Sequence, residues 1–104
     1  MLGRSRFTDL IRRQLDLFET DEATLLEEAA EANSAWTNAG ADESEELYGD
    51  YQLVVGAIGD QLYEVREAYA ATLEDPTAAD YRGAFNRAAL KRFRGYAAFL
   101  EDEG

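Results

Sequence analysis

The sequence predicts an all-α protein, an antiparallel up-down-up bundle of three long helices at about residues 5–38, 43–73 and 76–100. Apolar residues recur at steps of three and four through nearly the whole chain, the spacing that lines up one face of a helix. Ala, Leu, Glu and Arg dominate, and all are strong helix formers. One proline in 104 residues leaves few forced breaks. That length suits one domain, residues 1–104, with a modest core.

The first helix is read from Phe7, Ile11, Phe18, Leu25, Ala29, Ala32 and Trp36. At about 100° per residue, all of them point within roughly 40° of one direction. Thr20 and Asp21 have the chemistry of an N-cap, which would normally reset the phase of a stripe. The phase is not reset, so a single helix over 5–38 is expected, with a hinge at Glu19 to Glu22 as the runner-up.

Asn38-Ala39-Gly40-Ala41 is the first clear punctuation, with Gly40 expected as the positive-φ residue that closes a helix. Asp42 or Ser44 then caps the second helix, and Glu43, Glu45 and Glu46 stack near its start, where the helix dipole favours negative charge. Its stripe is Tyr48, Tyr51, Val55, Ile58, Leu62, Val65 and Tyr69. Both other helices are expected to cover it.

Pro76 ends that helix by pushing Asp75 out of the α region, and Asp75-Pro76 are expected as N-cap and first residue of the third helix. There the buried face is Tyr81, Phe85, Ala88, Ala89, Phe93, Tyr96 and Leu100. Short connections make the neighbours antiparallel. Charge agrees with this order. Arg4, Arg6, Arg12 and Arg13 would lie beside Glu64, Glu67, Glu74 and Asp75, and Arg87, Lys91, Arg92 and Arg94 beside the acidic start of the second helix.

The composition excludes much chemistry. With neither cysteine nor histidine, the chain has no thiolate nucleophile, no disulfide and neither of the commonest transition-metal ligands. Its serines have no plausible base partner, so the chain is expected not to be an enzyme and to need no cofactor. A net charge of −12 disfavours binding to nucleic-acid phosphates or an anionic membrane. Few lysines among many Asp, Glu and Ala fit a GC-rich, salt-adapted source. No apolar run approaches the roughly 18–20 residues of a membrane span, and none follows Arg4 and Arg6 as in a signal peptide. A cytoplasmic protein is expected.

One feature of the second helix lies outside its main stripe. Gly49, Gln52, Gly56, Gly59, Tyr63, Arg66 and Ala70 form another line at heptad spacing on the adjacent face. A glycine inside a helix costs about 0.5–1 kcal/mol relative to alanine, and it usually permits close backbone approach. The approach is either tight packing within the monomer or a contact with a second subunit. Gly49, Gln52, Leu53, Gly56, Gly59 and Tyr63 are therefore the candidate interface.

The carboxylates Glu27, Glu28 and Glu31 on the first helix and Asp60, Glu64 and Glu67 on the second are candidates for holding a hard cation, although no EF-hand spacing supports them. The expected function is a non-catalytic protein–protein interaction or scaffolding module that self-associates, as a dimer, or binds another protein. The alternatives are an acidic nucleic-acid mimic that blocks a basic partner, and a carboxylate-rich bundle that binds a hard cation.

Overall fold

A computed structural model of the chain describes residues 6–94 and 96. All regular structure among them is helical: α1 (Thr8–Asp21), α2 (Ala23–Thr37), α3 (Ala41–Ala70) and α4 (Thr77–Arg92). The expectation of three long helices is corrected to four, because the first is broken at Glu22. There the backbone leaves helical geometry, at φ −109° and ψ 27°.

The break is a bend rather than a gap. Glu22 N–H still donates to Phe18 O at 2.8 Å, and Leu26 N–H to Glu22 O at 3.0 Å. Thr20 does not cap α2; its hydroxyl donates back to Asp16 O at 3.3 Å. Such back-bonding competes with the helical ladder and bends helices. Because most of the ladder survives, the apolar stripe keeps its phase across the bend. Phe7, Ile11, Phe18 and Ala29 are all buried on it.

The bend divides the labour of that stripe. α2 packs along α3, whereas α1 packs against α4. Phe7 meets the ring of Tyr81 at 5.4 Å and Phe18 meets Phe93 at 5.5 Å, so α1 and α4 run in the same direction. Tyr69 meets Tyr81 at 4.9 Å while Arg66 reaches Asn86, so α3 and α4 are antiparallel. α3 is the longest element, at 30 residues. At about 1.5 Å per residue it spans most of the molecule's 51 Å long axis.

The core lies where α1, α3 and α4 meet. Leu15, Ile58, Leu62, Tyr81 and Phe85 are at most 1% exposed. Each such apolar side chain contributes about 1.5–3 kcal/mol by leaving water. Leu15, one turn from both Ile11 and Phe18, belongs to this core although the predicted stripe omits it. Towards its start, the α3 stripe loses cover: Tyr48 is 41% exposed and Tyr51 is half-buried.

The helix ends differ from expectation in detail. Gly40 has φ −73° and ψ 169°, so it is the extended N-cap of α3 rather than a positive-φ terminator of α2. Neither Asp42 nor Ser44 caps α3; Gly40 O accepts from Ser44 N–H at 3.0 Å, and Asp42 and Glu43 lie in the first turn. α3 ends at Ala70 instead of 73. Pro76 itself is the N-cap of α4, one position later than expected, after a cis Asp75–Pro76 peptide. α4 ends at Arg92, with Phe93 as C-cap. The predicted continuation through Leu100 lies outside the described residues.

The expected charge pairing is corrected at Arg12 and Arg92. Arg92 Nη1 meets Asp16 at 2.7 Å and Glu19 at 3.3 Å, both on α1, because α4 runs beside α1 in the same direction. Arg12 pairs within its own helix with Asp9 at 3.0 Å. Arg4 lies outside the described residues. Exposed pairs of this kind are worth about 0–1 kcal/mol each.

Candidate interface on α3

Helix geometry puts Gly49 and Gly56 on one line of α3, seven positions apart and therefore separated by only about 20° in projection. Gln52 and Leu53 lie between them along the axis. Gln52 is exposed, and Leu53 is 75% exposed, the most exposed large apolar side chain among the described residues. Both glycines are partly exposed.

A Cβ placed on Gly49 or Gly56 would meet nothing within 4 Å. Among the described residues, close packing does not explain these two glycines, and none of the four helices uses the approach they permit.

Further along α3 the candidate residues part company. Gly59 is buried in the interior. Tyr63 is 38% exposed, with the Arg66 guanidinium 4.9 Å from its ring centre. The structure thus brings Gly49, Gln52, Leu53 and Gly56 together on one accessible face, with Tyr63 at its far end and Gly59 beneath.

Beneath Tyr63 lies a polar network that the sequence reading missed. Arg66, 2% exposed, donates from Nη1 to Asn86 Oδ1 at 2.9 Å and from Nε to Glu67 Oε2 at 2.7 Å. Glu67 also accepts two hydrogen bonds from Arg82, at 2.9 and 3.0 Å. The Arg82 bonds, followed by the contact with Arg66, hold the Glu67 carboxyl below its ordinary range despite an opposing effect of burial. A signal existed: Arg66 stands four residues after Leu62 and four before Ala70, on the buried side of α3.

In this network two arginines occupy the Glu67 carboxylate. Among the described residues, no group of three or more carboxylates comes together in a metal-holding arrangement, so the two acidic sets on α2 and α3 do not converge. The phenol of Tyr81 donates to Gln14 Oε1 at 2.9 Å. Its burial, offset in part by that bond, pushes its pKa up to about 12. A third aromatic group joins α2 to the start of α3, where Trp36 meets Tyr48 edge-on at 4.8 Å.

No described helix is long and apolar enough to cross a membrane. No protein-family model matches the sequence, and no curated protein and no solved structure matches it either.

Proposed function

We propose that this chain is a non-catalytic protein–protein interaction module, a small acidic helical bundle that self-associates through the first half of α3. The observation that carries this reading is Leu53, 75% exposed between two glycines at which a Cβ would meet no atom of the described residues. Two helices approach most closely where the residues at their crossing are small. A second copy of this chain brings Gly49 and Gly56 by construction, and a two-fold contact makes the patch self-complementary. Tyr63 is placed to contribute its ring at the edge.

Like charge opposes the contact, because each subunit carries −12. Self-association is therefore expected to strengthen as salt screens that repulsion.

Light scattering at low and high salt tests the proposal. A mass near twice 11.6 kDa at high salt is expected, returning to 11.6 kDa in Gly56→Leu and Leu53→Asp with helicity unchanged. A wild-type monomer at all salt concentrations would overturn the proposal, as would a dimer that survives both substitutions.

A further inference from the structure

An open groove lies beside the bend at Glu22, between α1 and α3. α1 diverges towards α4, and a cavity of about 470 Å³ opens between α1 and the second half of α3. Its walls are Leu17 and Phe18 on α1 and Val65, Ala68 and Tyr69 on α3. Leu17 is 60% exposed despite its size. The lining reaches from Gln61 to Thr72 on α3, about 16 Å or three helical turns at roughly 1.5 Å per residue.

Charge at the groove has one sign where it is fixed. Asp21 and Glu22 close the Gln61 end, and neither is paired with a cation among the described residues. The last turn of α3 lies at the other end and contributes the partial negative charge of a helix C-terminus, about half an elementary charge. A second copy of this chain would bring further carboxylates to Asp21 and Glu22, so it is disfavoured as occupant.

We infer that the α1–α3 groove docks an amphipathic helix from a basic partner protein, seating apolar side chains against Phe18, Val65 and Tyr69 and a lysine or arginine at Asp21 and Glu22. Three turns of groove match the i, i+3, i+4, i+7 anchors of a helix laid into an apolar channel. The guest would run beside α1 and α3, opposite α4, and would bury Leu17. This site is separate from the Gly49–Gly56 face and does not depend on self-association.

The test titrates the isotope-labelled full chain with a synthetic peptide of about four turns, with leucine at the anchor positions and lysine elsewhere. A scrambled peptide of equal composition, lacking an apolar face, is the control. Expected are binding of the patterned peptide with shifts at Leu17, Val65 and Tyr69, and at least about tenfold weaker binding of the scrambled one. Ala68→Arg should weaken binding by a similar factor; Ala68 is exposed, so the fold should tolerate the change. Asp21→Lys with Glu22→Lys should weaken it at low salt, with a smaller loss at high salt. Gly56→Leu should leave peptide binding intact while removing the dimer, which separates this proposal from the preceding one.

Equal binding of both peptides, or an unchanged affinity in Ala68→Arg, would reduce the effect to diffuse charge attraction and overturn the inference. So would groove shifts produced by dodecylamine but not by the patterned peptide, because the site would then take a small cationic amphiphile. Loss of peptide binding in Gly56→Leu would overturn it as well.

Discussion

The guanidinium of Arg66, almost wholly buried in α3, hydrogen-bonds through Nη1 to Asn86 Oδ1 on α4 at 2.9 Å. Asn86 is itself buried, at 9% exposure. A buried donor deprived of its acceptor incurs its desolvation cost, about 1–3 kcal/mol and more where charge is involved. Asn86→Leu alone should therefore destabilise by at least about 2 kcal/mol. In the double variant Arg66→Met/Asn86→Leu the loss should fall short of the sum of the single losses by about 1 kcal/mol or more. Urea unfolding of the four proteins measures that coupling; strict additivity would show the contact to be energetically idle.

Acid should weaken the same junction. The folded-state pKa of Glu67 lies below the ordinary 4.5, chiefly because Arg82 donates to it. The stabilisation is thus fully present above pH 4.5 and is lost as pH falls through the lower folded value. Glu67→Gln should be less stable than wild type near neutrality and lose less stability on acidification. Unfolding curves between about pH 6 and 3 distinguish that behaviour from parallel acid profiles.

Tyr81 sets the opposite limit. Its pKa rises from 10.0 to about 12, so the folded state holds the phenolic proton more tightly than the unfolded state does. The resulting stability is complete below pH 10 and declines as pH rises towards 12. At about 1.4 kcal/mol per unit, the loss across that window is on the order of 2–3 kcal/mol. Tyr81→Phe should flatten the alkaline limb, after correction for the lost bond to Gln14, as followed by helicity against pH.

Truncations along α3 should rank by depth. Ile58→Ala and Leu62→Ala, both at fully buried positions, should each cost about 2–5 kcal/mol through cavity formation. Val55→Ala, half-buried, should cost about 1 kcal/mol, and Leu53→Ala in the monomer within about 0.5 kcal/mol. Melting temperatures in that order support Leu53 as a surface residue; a loss at Leu53 comparable to that at Leu62 would make it core.

The buried stripes were legible in the sequence because helical periodicity records burial directly. Phe18, Ile58, Leu62, Tyr81 and Phe85 lie where their spacing puts them. The bend was legible only as the runner-up, a hinge at Glu19 to Glu22, and the reason that the sequence favours the unbroken helix is physical. Hydrogen bonds from Glu22 to Phe18 and from Leu26 to Glu22 carry the ladder around it, so Phe18 and Leu25 stay in phase and periodicity registers no interruption. Thr20 shows a second limit. A threonine beside an aspartate reads equally as a cap or as a back-bonding side chain, and only the surrounding chain decides that it bonds Asp16 O. The glycine line was legible as an anomaly, but not whether Gly56 faced another helix of the chain; among the described residues it meets none. Asn86 was missed because its partner Arg66 stands 20 positions away on a different helix.

α3 gives this small molecule the character of a lap joint. α2 covers one half of it and α4 the other, so two short overlaps are spliced on a single continuous member. Mechanical and thermodynamic continuity between the ends runs through that member and the bend at Glu22. Fraying at the Tyr48 end can therefore stay local, whereas opening near Leu62 and Arg66 releases the buried junction with α4. The amide protons of α3 between Ile58 and Arg66, where its side chains are most deeply buried, should be the slowest to exchange with solvent.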